Sequence, residues 1–390
     1  MDRLPAALWT LRQDLAELVA ALGPGAVRWV GGAVRDTLLN HPVEDIDAAT
    51  LHEPAQVVER LERAGIRTIP TGIDHGTITA LLDHGPVEVT TLRRDVSTDG
   101  RRATVAFATN WRDDASRRDF TINALYVDPE TLEIYDYFNG LSDLAEGRVR
   151  FIGDARERIA EDHLRILRYF RFQCRFGSAL DEEAEAACIA LATTLKGLSR
   201  ERVAGELLRL LALPDPGPTI RRMIDNGVLQ IVLPELREDA ADRLEALIAQ
   251  EARQGVAGDG VRRMAALLPS QPRVAEQVAA RLRMSVAQRK RLGSAAAPEG
   301  AGEEGARALD YRIGREKAID RLLLAGAEIT PLAGWETPQL PLRGGEIVQR
   351  GIAAGPQVAS LLGEVERRWI AEGFPSRERV EMLLDEALRR

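Results

Sequence analysis

Cysteine is scarce in this sequence of 390 residues, which contains only Cys174 and Cys188. Neither belongs to a set with metal-ligand spacing, so we expect a reduced, cytoplasmic protein without a disulfide framework. Long apolar runs are also missing, which argues against a membrane-spanning helix. The N-terminal stretch MDRLPAALWTLRQDLAELVAALG places acidic residues within its apolar pattern. It therefore predicts an amphipathic helix that ends at Gly23, and not a signal peptide.

Lysine is nearly absent and occurs only at Lys196, Lys290 and Lys317, so arginine supplies almost all of the 52 basic residues. The formal net charge of −8 argues against binding nucleic acid by bulk charge alone, but it allows a local basic face. Arginine binds phosphates and base edges through two parallel hydrogen bonds. A GC-rich genome explains the same bias without any function, and we favour that explanation.

The pattern of apolar residues changes along the chain. Residues 26 to 140 mix short strands with helices, as in AVRWVGG, TITALLD and PVEVTTL, whereas from about residue 153 the periodicity is almost only helical. The helix LHEPAQVVERLERAG is expected to end at Gly65. These changes and the Pro- and Gly-rich stretches predict boundaries near residues 140, 200 and 270.

Asp45 and Asp47 form the motif DID. In a strand, residues i and i+2 point to the same face, so the two carboxylates lie side by side and Ile46 turns into the core. Such carboxylates repel each other unless a cation lies between them, and Mg²⁺ prefers oxygen ligands that it shares with substrate phosphates. Taken alone, a pair at this spacing is more often a surface or capping pair.

Gly31 and Gly32 follow an apolar strand and precede AVRDTLL, the expected start of a helix. Glycines let the backbone approach phosphate oxygens, and a helix start offers free N–H groups. Arg35 could reach the same phosphates, and Asp36 could hold the turn by pairing with a basic side chain. The stretch thus predicts a metal and polyphosphate site, with a plain strand-to-helix turn as the alternative.

Three motifs occur in order: GGAVRD…DIDAAT, SRRDFTINAL (116–125) and EDHLRILRYFRF (161–172). With them the sequence resembles the class II tRNA nucleotidyltransferases, the group of bacterial CCA-adding enzymes and bacterial poly(A) polymerases. The resemblance implies an α+β fold in which a nucleotidyltransferase head with a polymerase β-like mixed sheet precedes all-α domains. The implied domains are a head (1–140), a neck that recognises the base (141–200), a body (201–270) and a tail that binds tRNA (271–390).

The resemblance also implies an activity, the template-independent addition of CCA to the 3′ end of tRNA from CTP and ATP. An RNA 3′-hydroxyl would attack the α-phosphate, assisted by Mg²⁺ ions held by Asp45 and Asp47. Glu88 alternates with Val87 and Val89, so it would be a third carboxylate near the metals if its strand lies beside the DID strand. A solvated strand residue is an equal alternative for Glu88.

The second motif contains Arg117, Arg118 and Asp119, with Asn123 one turn further on if the segment is helical. Asp119 can accept hydrogen bonds from ribose hydroxyls, and the arginines can donate to phosphates. The resemblance implies a ribose- and triphosphate-binding element. A capped helix start with an Arg–Asp pair is the alternative.

The third motif places Asp162 and Arg165 three residues apart, on one face if they share a helix. An intrahelical ion pair is the ordinary interpretation. Cytosine and adenine each present an amino donor beside a ring-nitrogen acceptor, whereas guanine and uracil present the reverse. A carboxylate beside a guanidinium therefore suits C and A and opposes G and U. The resemblance implies that these residues select CTP and ATP, while Glu161 orients Arg165 or caps the helix.

Two segments between the motifs carry less specific predictions. GIDHGTIT (72–79) contains His75 and is a second candidate for close approach to the nucleotide, or a surface turn. LRRDVSTDGRRATVAF (92–107) lacks an apolar stripe and predicts a mobile loop. The resemblance implies a flexible loop there that acts when the site switches from C to A, which argues against a CC-only enzyme.

Other activities stay open at this point. Poly(A) synthesis or A-only addition competes with CCA addition, although EMLLDEALRR lacks the basic extension that the resemblance implies for poly(A) polymerases. A catalytically silent RNA-binding relative is a hypothesis from another class, and the intact DID argues against it. No histidine follows His163, so we expect no HD-type phosphohydrolase domain. Arg289, Lys290 and Arg291 are candidates for tRNA contact, or a solvated helix end, and no oligomeric state is predicted.

Overall fold

The structure is a computed structural model that describes residues 2–73, 76–98, 103–297 and 305–389, with only the backbone for 94–98 and 103–106. The described strands are β1 (Val27–Val30), β2 (Ile46–Thr50), β3 (Arg67–Gly72), β4 (Thr77–Leu82), β5 (Gly85–Thr91), β6 (Arg93–Thr98), β7 (Ala103–Phe107), β8 (Leu125–Val127) and β9 (Ile134–Asp136).

Helices surround and follow these strands. Up to the end of β9 they are α1 (Gln13–Leu22), α2 (Gly32–Leu38), α3 (Pro54–Arg63) and α4 (Trp111–Ser116). Beyond β9 they are α5 (Gly140–Glu146), α6 (Ala155–Glu161), α7 (Arg165–Phe176), α8 (Glu182–Ala190), α9 (Arg200–Leu211), α10 (Gly217–Asp225), α11 (Val228–Val232), α12 (Ala240–Arg253), α13 (Gly260–Leu267), α14 (Pro272–Arg281), α15 (Val286–Ala295), α16 (Ala306–Ile313), α17 (Arg315–Leu324), α18 (Gly344–Gln349), α19 (Pro356–Ala371) and α20 (Arg377–Leu388).

Seven strands form one mixed sheet in the order β3-β4-β5-β2-β1-β8-β9. The pairing of β2 with β5 is parallel, and every other pairing in this sheet is antiparallel. The connection from β2 to β5 contains α3, β3 and β4 and is long enough for a parallel crossover, which a two-residue hairpin could not make. A mixed sheet followed by helices confirms the predicted fold class.

Local sequence explains the early helix boundaries. α1 ends at Gly23, whose φ of +98° suits glycine, as the sequence predicts. α3 begins with Pro54 at its first turn, and Gly65 follows its end with a φ of +77°. Among the described residues, no helix combines the length and apolar character needed to cross a membrane.

The segment 92–107 is not the loop that the sequence predicts. β6 and β7 pair antiparallel as a separate two-stranded sheet, with Arg93 opposite Phe107. Valine and threonine are frequent in both strands and favour extended backbone, so a ladder forms although the stretch lacks an apolar stripe. The tip of this hairpin and His75 lie outside the described residues.

The chain divides into two compact units. The first contains the residues up to Glu206 together with Arg222–Val232, and the second contains Leu207–Arg221 and the residues from Leu233 onward. Sheet residues such as Val30, Ala49 and Tyr126 pack in one core of the first unit, whereas Trp369, Val380 and Leu383 are among the core residues of the second. The finer division at 140, 200 and 270 stays a prediction.

Candidate functional site

A cleft of about 370 Å³ in the first unit collects most of the predicted site residues. Its lining is Gly31, Gly32, Arg35, Asp36, Glu44, Asp45, Asp47, Arg118, Asp119, Asn123, Arg168, Arg171, Phe172 and Arg175. A larger cavity of about 490 Å³ in the same unit is lined by none of the predicted residues. The smaller cleft is therefore the candidate site.

The two glycines form the turn between β1 and α2, as predicted. Gly31 has a φ of +74°, a conformation that side-chain-bearing residues rarely adopt. A Cβ atom at Gly31 would lie 3.7 Å from Arg118 Nη1, which is ordinary contact, so the backbone angle and not space requires glycine here. Gly32 begins α2, which has only seven residues.

Arg35 is buried beneath this turn. Its Nε donates to Asp36 Oδ1 at 2.9 Å, and its Nη1 donates to Asn123 Oδ1 at 2.5 Å. Burial lowers the pKa of the guanidinium, and the charge of Asp36 opposes this shift. Asp36 also pairs with Arg175 at 3.3 Å. The expected pairing of Asp36 with basic side chains is confirmed, and Arg35 is fixed at the floor of the cleft.

The DID motif presents its carboxylates as predicted. Ile46 is buried, Asp47 is half-buried and Asp45 is exposed immediately before β2, and both aspartates line the cleft. Burial raises the pKa of Asp47 to about 6, with further contributions from Glu88 and Asp45 that Arg118 partly offsets. A cation bound nearby would stabilise the ionised form of the Asp47 carboxylate.

Glu88 lies directly opposite Asp47, because β2 and β5 pair in parallel with these two residues in register. It is exposed, whereas Val87 and Val89 are fully buried, so the predicted alternation is confirmed. The structure thus brings Glu88 beside the DID strand. It lies next to the cleft residues but is not part of the cleft lining.

The carboxylates fit a hard divalent cation that takes only part of its ligands from protein. Within the described residues, no group of three or more His, Cys, Asp or Glu side chains could hold a metal by itself. Mg²⁺ usually binds through one or two carboxylates and completes its shell with waters and substrate phosphates. Asp45 and Asp47 are a donor set of this kind.

Asp114 organises the RRD motif, although sequence reasoning did not identify it. It is buried within α4 beside Arg93, the first residue of β6, and Arg117 Nη2 lies 2.6 Å and Arg118 Nη2 3.2 Å from its oxygens. Tyr126 Oη donates to it at 2.6 Å. Burial raises the pKa of Asp114, but the two arginines outweigh that effect and lower it to about 2. Arg118 lines the cleft, whereas Arg117 does not.

Asp119 and Asn123 do not share an α-helix, because α4 ends at Ser116 and residues Thr121–Asn123 form one 3-10 turn. They still meet, since Asn123 Nδ2 donates to Asp119 Oδ1 at 3.0 Å. Arg168 donates to Asp119 Oδ2 at 2.5 Å and 2.7 Å. Burial raises the pKa of Asp119, and these partners lower it to about 2. Asp119 is therefore a buried anion aimed at the cleft.

One face of α7 supplies cleft residues that sequence reasoning missed. Arg168, Arg171, Phe172 and Arg175 line the cleft. Their spacing of three and four residues in RILRYFRFQCRF is the signal that could have identified them. Arg171 also pairs with Glu206 at 2.6 Å.

The prediction that Asp162 and Arg165 share one helix face is wrong. α6 ends at Glu161, Asp162 has an extended backbone, and α7 begins at Arg165. Asp162 Oδ1 accepts from its own neighbour Leu164 N at 3.1 Å, a local bond that competes with helix formation. Its other oxygen accepts from Arg202 Nη2 at 2.6 Å. The alternative interpretation, an intrahelical Asp162–Arg165 ion pair, is therefore not what the described residues form.

Glu161 orients Arg165, which confirms one of its two predicted roles. Arg165 Nη1 donates to Glu161 Oε2 at 2.5 Å and to the carbonyl of Arg158 at 2.7 Å. Its Nη2 donates to the carbonyl of Arg117 at 2.8 Å. Arg165 therefore lies against the segment that leads to Asp119, although it does not line the cleft.

The three basic residues of α15, in the second unit, differ in their surroundings. Arg289 and Lys290 are exposed. Arg291 pairs with Asp320, Asp259 and Glu316 at 2.6 to 3.0 Å. These long-range carboxylates engage its guanidinium, and a tRNA contact of Arg291, like those of Arg289 and Lys290, stays a prediction.

Two family models match the chain. One is described as "Poly A polymerase head domain" and matches residues 27–150, and the other as "Probable RNA and SrmB- binding site of polymerase A" and matches residues 178–239. The first covers the mixed sheet and the RRD motif, which bear most of the cleft.

Relatives cover more of the chain than these models do. The CCA tRNA nucleotidyltransferase 1, mitochondrial, of Mus musculus is 36% identical over 373 residues, which are 89% of this chain and 83% of that protein. The CCA-adding enzyme of Streptococcus sanguinis (strain SK36) is 40% identical over 56% of this chain and 54% of its own length.

A solved structure extends the likeness to the fold. The crystal structure of the Bacillus stearothermophilus CCA-adding enzyme in complex with CTP is 25% identical, has a TM-score of 0.74 and covers 97% of this chain and 98% of that one. The resemblance carried by the three motifs is therefore confirmed, and the chain belongs to the family of CCA tRNA nucleotidyltransferases.

Proposed function

We propose that this chain adds CCA to the 3′ end of tRNA from CTP and ATP, without a nucleic-acid template. The observation that carries the proposal is the register of β2 and β5. It sets Asp47 beside Glu88 at a cleft whose other walls present arginines from α7 and the RRD motif. Carboxylates facing a cluster of arginines suit the transfer of a nucleotidyl group from a metal-bound triphosphate.

The triphosphate is expected to lie along the arginine side of the cleft. Arg118, Arg168, Arg171 and Arg175 can donate to its oxygens, and the Gly31 turn lets the backbone come close. Arg35 is buried and paired, so its role is to hold Asn123 and Asp36 in place. Arg117 pairs with Asp114 and does not line the cleft, so its proposed influence on the triphosphate is indirect.

Asp119 and Asn123 are our candidates for the ribose hydroxyls. The Asp119 carboxylate stays ionised because Arg168 and Asn123 stabilise its charge, and it therefore remains an acceptor. Each carboxylate oxygen can accept more than one hydrogen bond, so these contacts do not exhaust it.

Asp45 and Asp47 would hold Mg²⁺. Glu88, opposite Asp47, would add negative charge near the metal without being one of the two assigned ligands. Bound there with the nucleotide, the metal would favour deprotonation of the RNA 3′-hydroxyl and offset the charge of the departing pyrophosphate. The protein's own contribution is to fix the two carboxylates at the start of β2 and to keep the arginines aimed at the phosphates.

Asp162 and Arg165 are proposed to read the base edge, even though they do not pair with each other. Among the described residues, the protein bonds of Arg165 use Nη1 and Nη2, so its Nε–H has no protein partner there. Asp162 keeps lone pairs beyond its bonds to Leu164 and Arg202. A donor and an acceptor thus remain for cytosine or adenine.

The helices of the second unit are proposed to contact tRNA by its shape and phosphates, because an enzyme of this kind must accept every tRNA. Arg289 and Lys290 are the candidates there. A cytoplasmic location stays part of this proposal.

Product length tests the proposal directly. The chain is incubated with tRNAs that end at the discriminator base, at C or at CC, with labelled CTP, ATP or both, in the presence and absence of Mg²⁺. We expect addition that stops once CCA is complete and that requires the metal. Long A tracts would indicate a poly(A) polymerase, a single A on CC-ending tRNA alone would indicate A-only addition, and no labelling would indicate a silent RNA-binding relative.

A further inference from the structure

Two arginines join the α6–α7 junction to the segment before Asp119. Arg158, on the last turn of α6, donates from Nη1 to the carbonyl of Ser116 at 3.1 Å. Arg165 donates from Nη2 to the next carbonyl, that of Arg117, at 2.8 Å. Both carbonyls belong to the end of α4, where backbone acceptors lack partners within the helix. The two bonds bridge 42 and 48 residues of sequence.

Glu161 links the two arginines. One of its oxygens pairs with Arg158 and the other with Arg165. The side chains of all three are mostly buried, at 19%, 16% and 12% exposure for Arg158, Glu161 and Arg165 respectively. Arg165 also donates to the backbone carbonyl of Arg158 at 2.7 Å. One carboxylate therefore sets the positions of two guanidiniums that reach the same short piece of backbone.

We propose that Arg158 is a positioning residue for nucleotide selection, which fixes Arg165 through Glu161 and ties it to the Ser116–Arg117 backbone. The inference rests on the proposed function, in which Arg165 reads the base. Arg158 itself does not line the cleft. Its effect follows from geometry: a guanidinium that discriminates between base edges must be held in one orientation.

The same contacts connect base reading with phosphate binding. Arg117 and Arg118 pair with Asp114, and Asp119 follows them directly. A change in the Ser116–Arg117 backbone therefore moves the residues proposed for the triphosphate and ribose. Loss of Arg158 is expected to reduce discrimination between nucleotides and to raise KM for CTP, whereas kcat at saturating CTP changes less.

The test compares Arg158→Met with Arg156→Met. Methionine keeps an apolar stem of similar reach but no donor, and Arg156 is an exposed arginine of the same helix. For each, kcat and KM are measured for CTP and UTP on tRNA that ends at the discriminator base, together with Tm. We expect the CTP-to-UTP ratio of kcat/KM to fall about tenfold in Arg158→Met, the size of one charged hydrogen bond, and to stay at the wild-type value in Arg156→Met.

An unchanged ratio in a folded Arg158→Met variant would overturn the proposal, including the case in which only Tm falls. If this variant does not fold, Arg158→Lys replaces it. A lysine has one nitrogen and no planar fork to serve both Ser116 and Glu161, so the ratio should fall there as well, and a wild-type ratio would again overturn the idea. Wild-type protein that does not prefer CTP to UTP would instead refute the proposed function itself.

Discussion

Tyr126 offers a sharp test of how the cleft arginine Arg118 is held. Its ring is fully buried, and its hydroxyl donates to Asp114 at 2.6 Å and accepts from Arg118 Nε at 2.9 Å. Burial raises the pKa of this hydroxyl, Arg118 lowers it and Asp114 raises it again, with a net increase. The hydroxyl therefore stays protonated and remains a donor. Tyr126→Phe removes a single oxygen atom and leaves the ring packing intact.

The expected loss of stability in Tyr126→Phe depends on the hydrogen-bond partners that remain. Hydrogen bonds to charged groups contribute roughly 1.5 to 3 kcal/mol each, and the buried groups left behind cannot be reached easily by water. Asp114 keeps Arg117 and Arg118, so we expect a loss of about 2 kcal/mol in the free energy of unfolding. For a unit of this size, that loss lowers Tm by roughly 4 to 8 °C.

The effect of Tyr126→Phe on nucleotide binding should be smaller in free energy than its effect on stability. Without the hydroxyl, Arg118 Nε loses its acceptor, and its guanidinium keeps the hydrogen bond to Asp114 at 3.2 Å and the contact with the ring at position 126. We expect KM for CTP to rise by roughly fivefold, equivalent to about 1 kcal/mol, with a smaller change in kcat. Calorimetry gives Tm, and steady-state addition to a tRNA that ends at the discriminator base gives KM.

Tyr135→Phe is the matched control. Tyr135 lies directly opposite Tyr126 in the β8–β9 pairing, but its hydroxyl is only part-buried and lies 3.4 Å from Glu133. We expect a change within about 0.5 kcal/mol and no change in KM. Equal effects of the two substitutions would refute the reasoning. A fall in Tm for Tyr126→Phe with unchanged KM would show that the Asp114 cluster does not position Arg118.

Three further predictions concern other parts of the site. Asp45→Asn and Asp47→Asn should each abolish nucleotide addition while a gel-shift assay still detects tRNA binding, and normal turnover by either variant would contradict their assignment as metal ligands. Arg165→Ala should let UTP and GTP be incorporated, so undiminished rejection of both would contradict the edge-matching argument. The pKa of Asp119 is lowered from 3.8 to about 2, so about 2 kcal/mol of stability present above pH 4 should be lost as the pH falls towards 2. Asp119→Asn should remove that part of the acid dependence of unfolding, and an unchanged acid transition would show that Arg168 does not stabilise the ionised form.

The local pattern of residues was sufficient to predict some features of the site. The alternation of side chains along a strand predicted that Asp45 and Asp47 share a face and that Glu88 points away from Val87 and Val89. The turn at Gly31 followed from a strand running into glycines. Each of these inferences depends only on neighbours within a few residues, where backbone geometry leaves few choices.

Contacts between residues far apart in the chain could not be predicted from the sequence in the same way. Nothing in the sequence sets the register that aligns Asp47 with Glu88, since a parallel crossover separates the two strands. The break after Glu161 was missed because EDHLR contains neither glycine nor proline, and an aspartate that bonds its own backbone ended the helix. Arg291 looked like a free cation because its carboxylate partners lie elsewhere in the chain.

The charge of the cleft explains why metal and nucleotide are expected to bind together. Five arginines and five carboxylates line it, so its formal charge is zero. Pairs such as Arg168 with Asp119 and Arg35 with Asp36 keep the donors fixed in place, which lowers the reorganisation needed when phosphates arrive. Because the same pairs neutralise much of the positive potential, a free triphosphate gains little from the arginines alone. On the proposed function, a divalent cation at Asp45 and Asp47 would balance the charge of these carboxylates and of the phosphates at once. The protein's ion pairs would then orient the substrate, and the cation that accompanies the substrate would supply the net attraction.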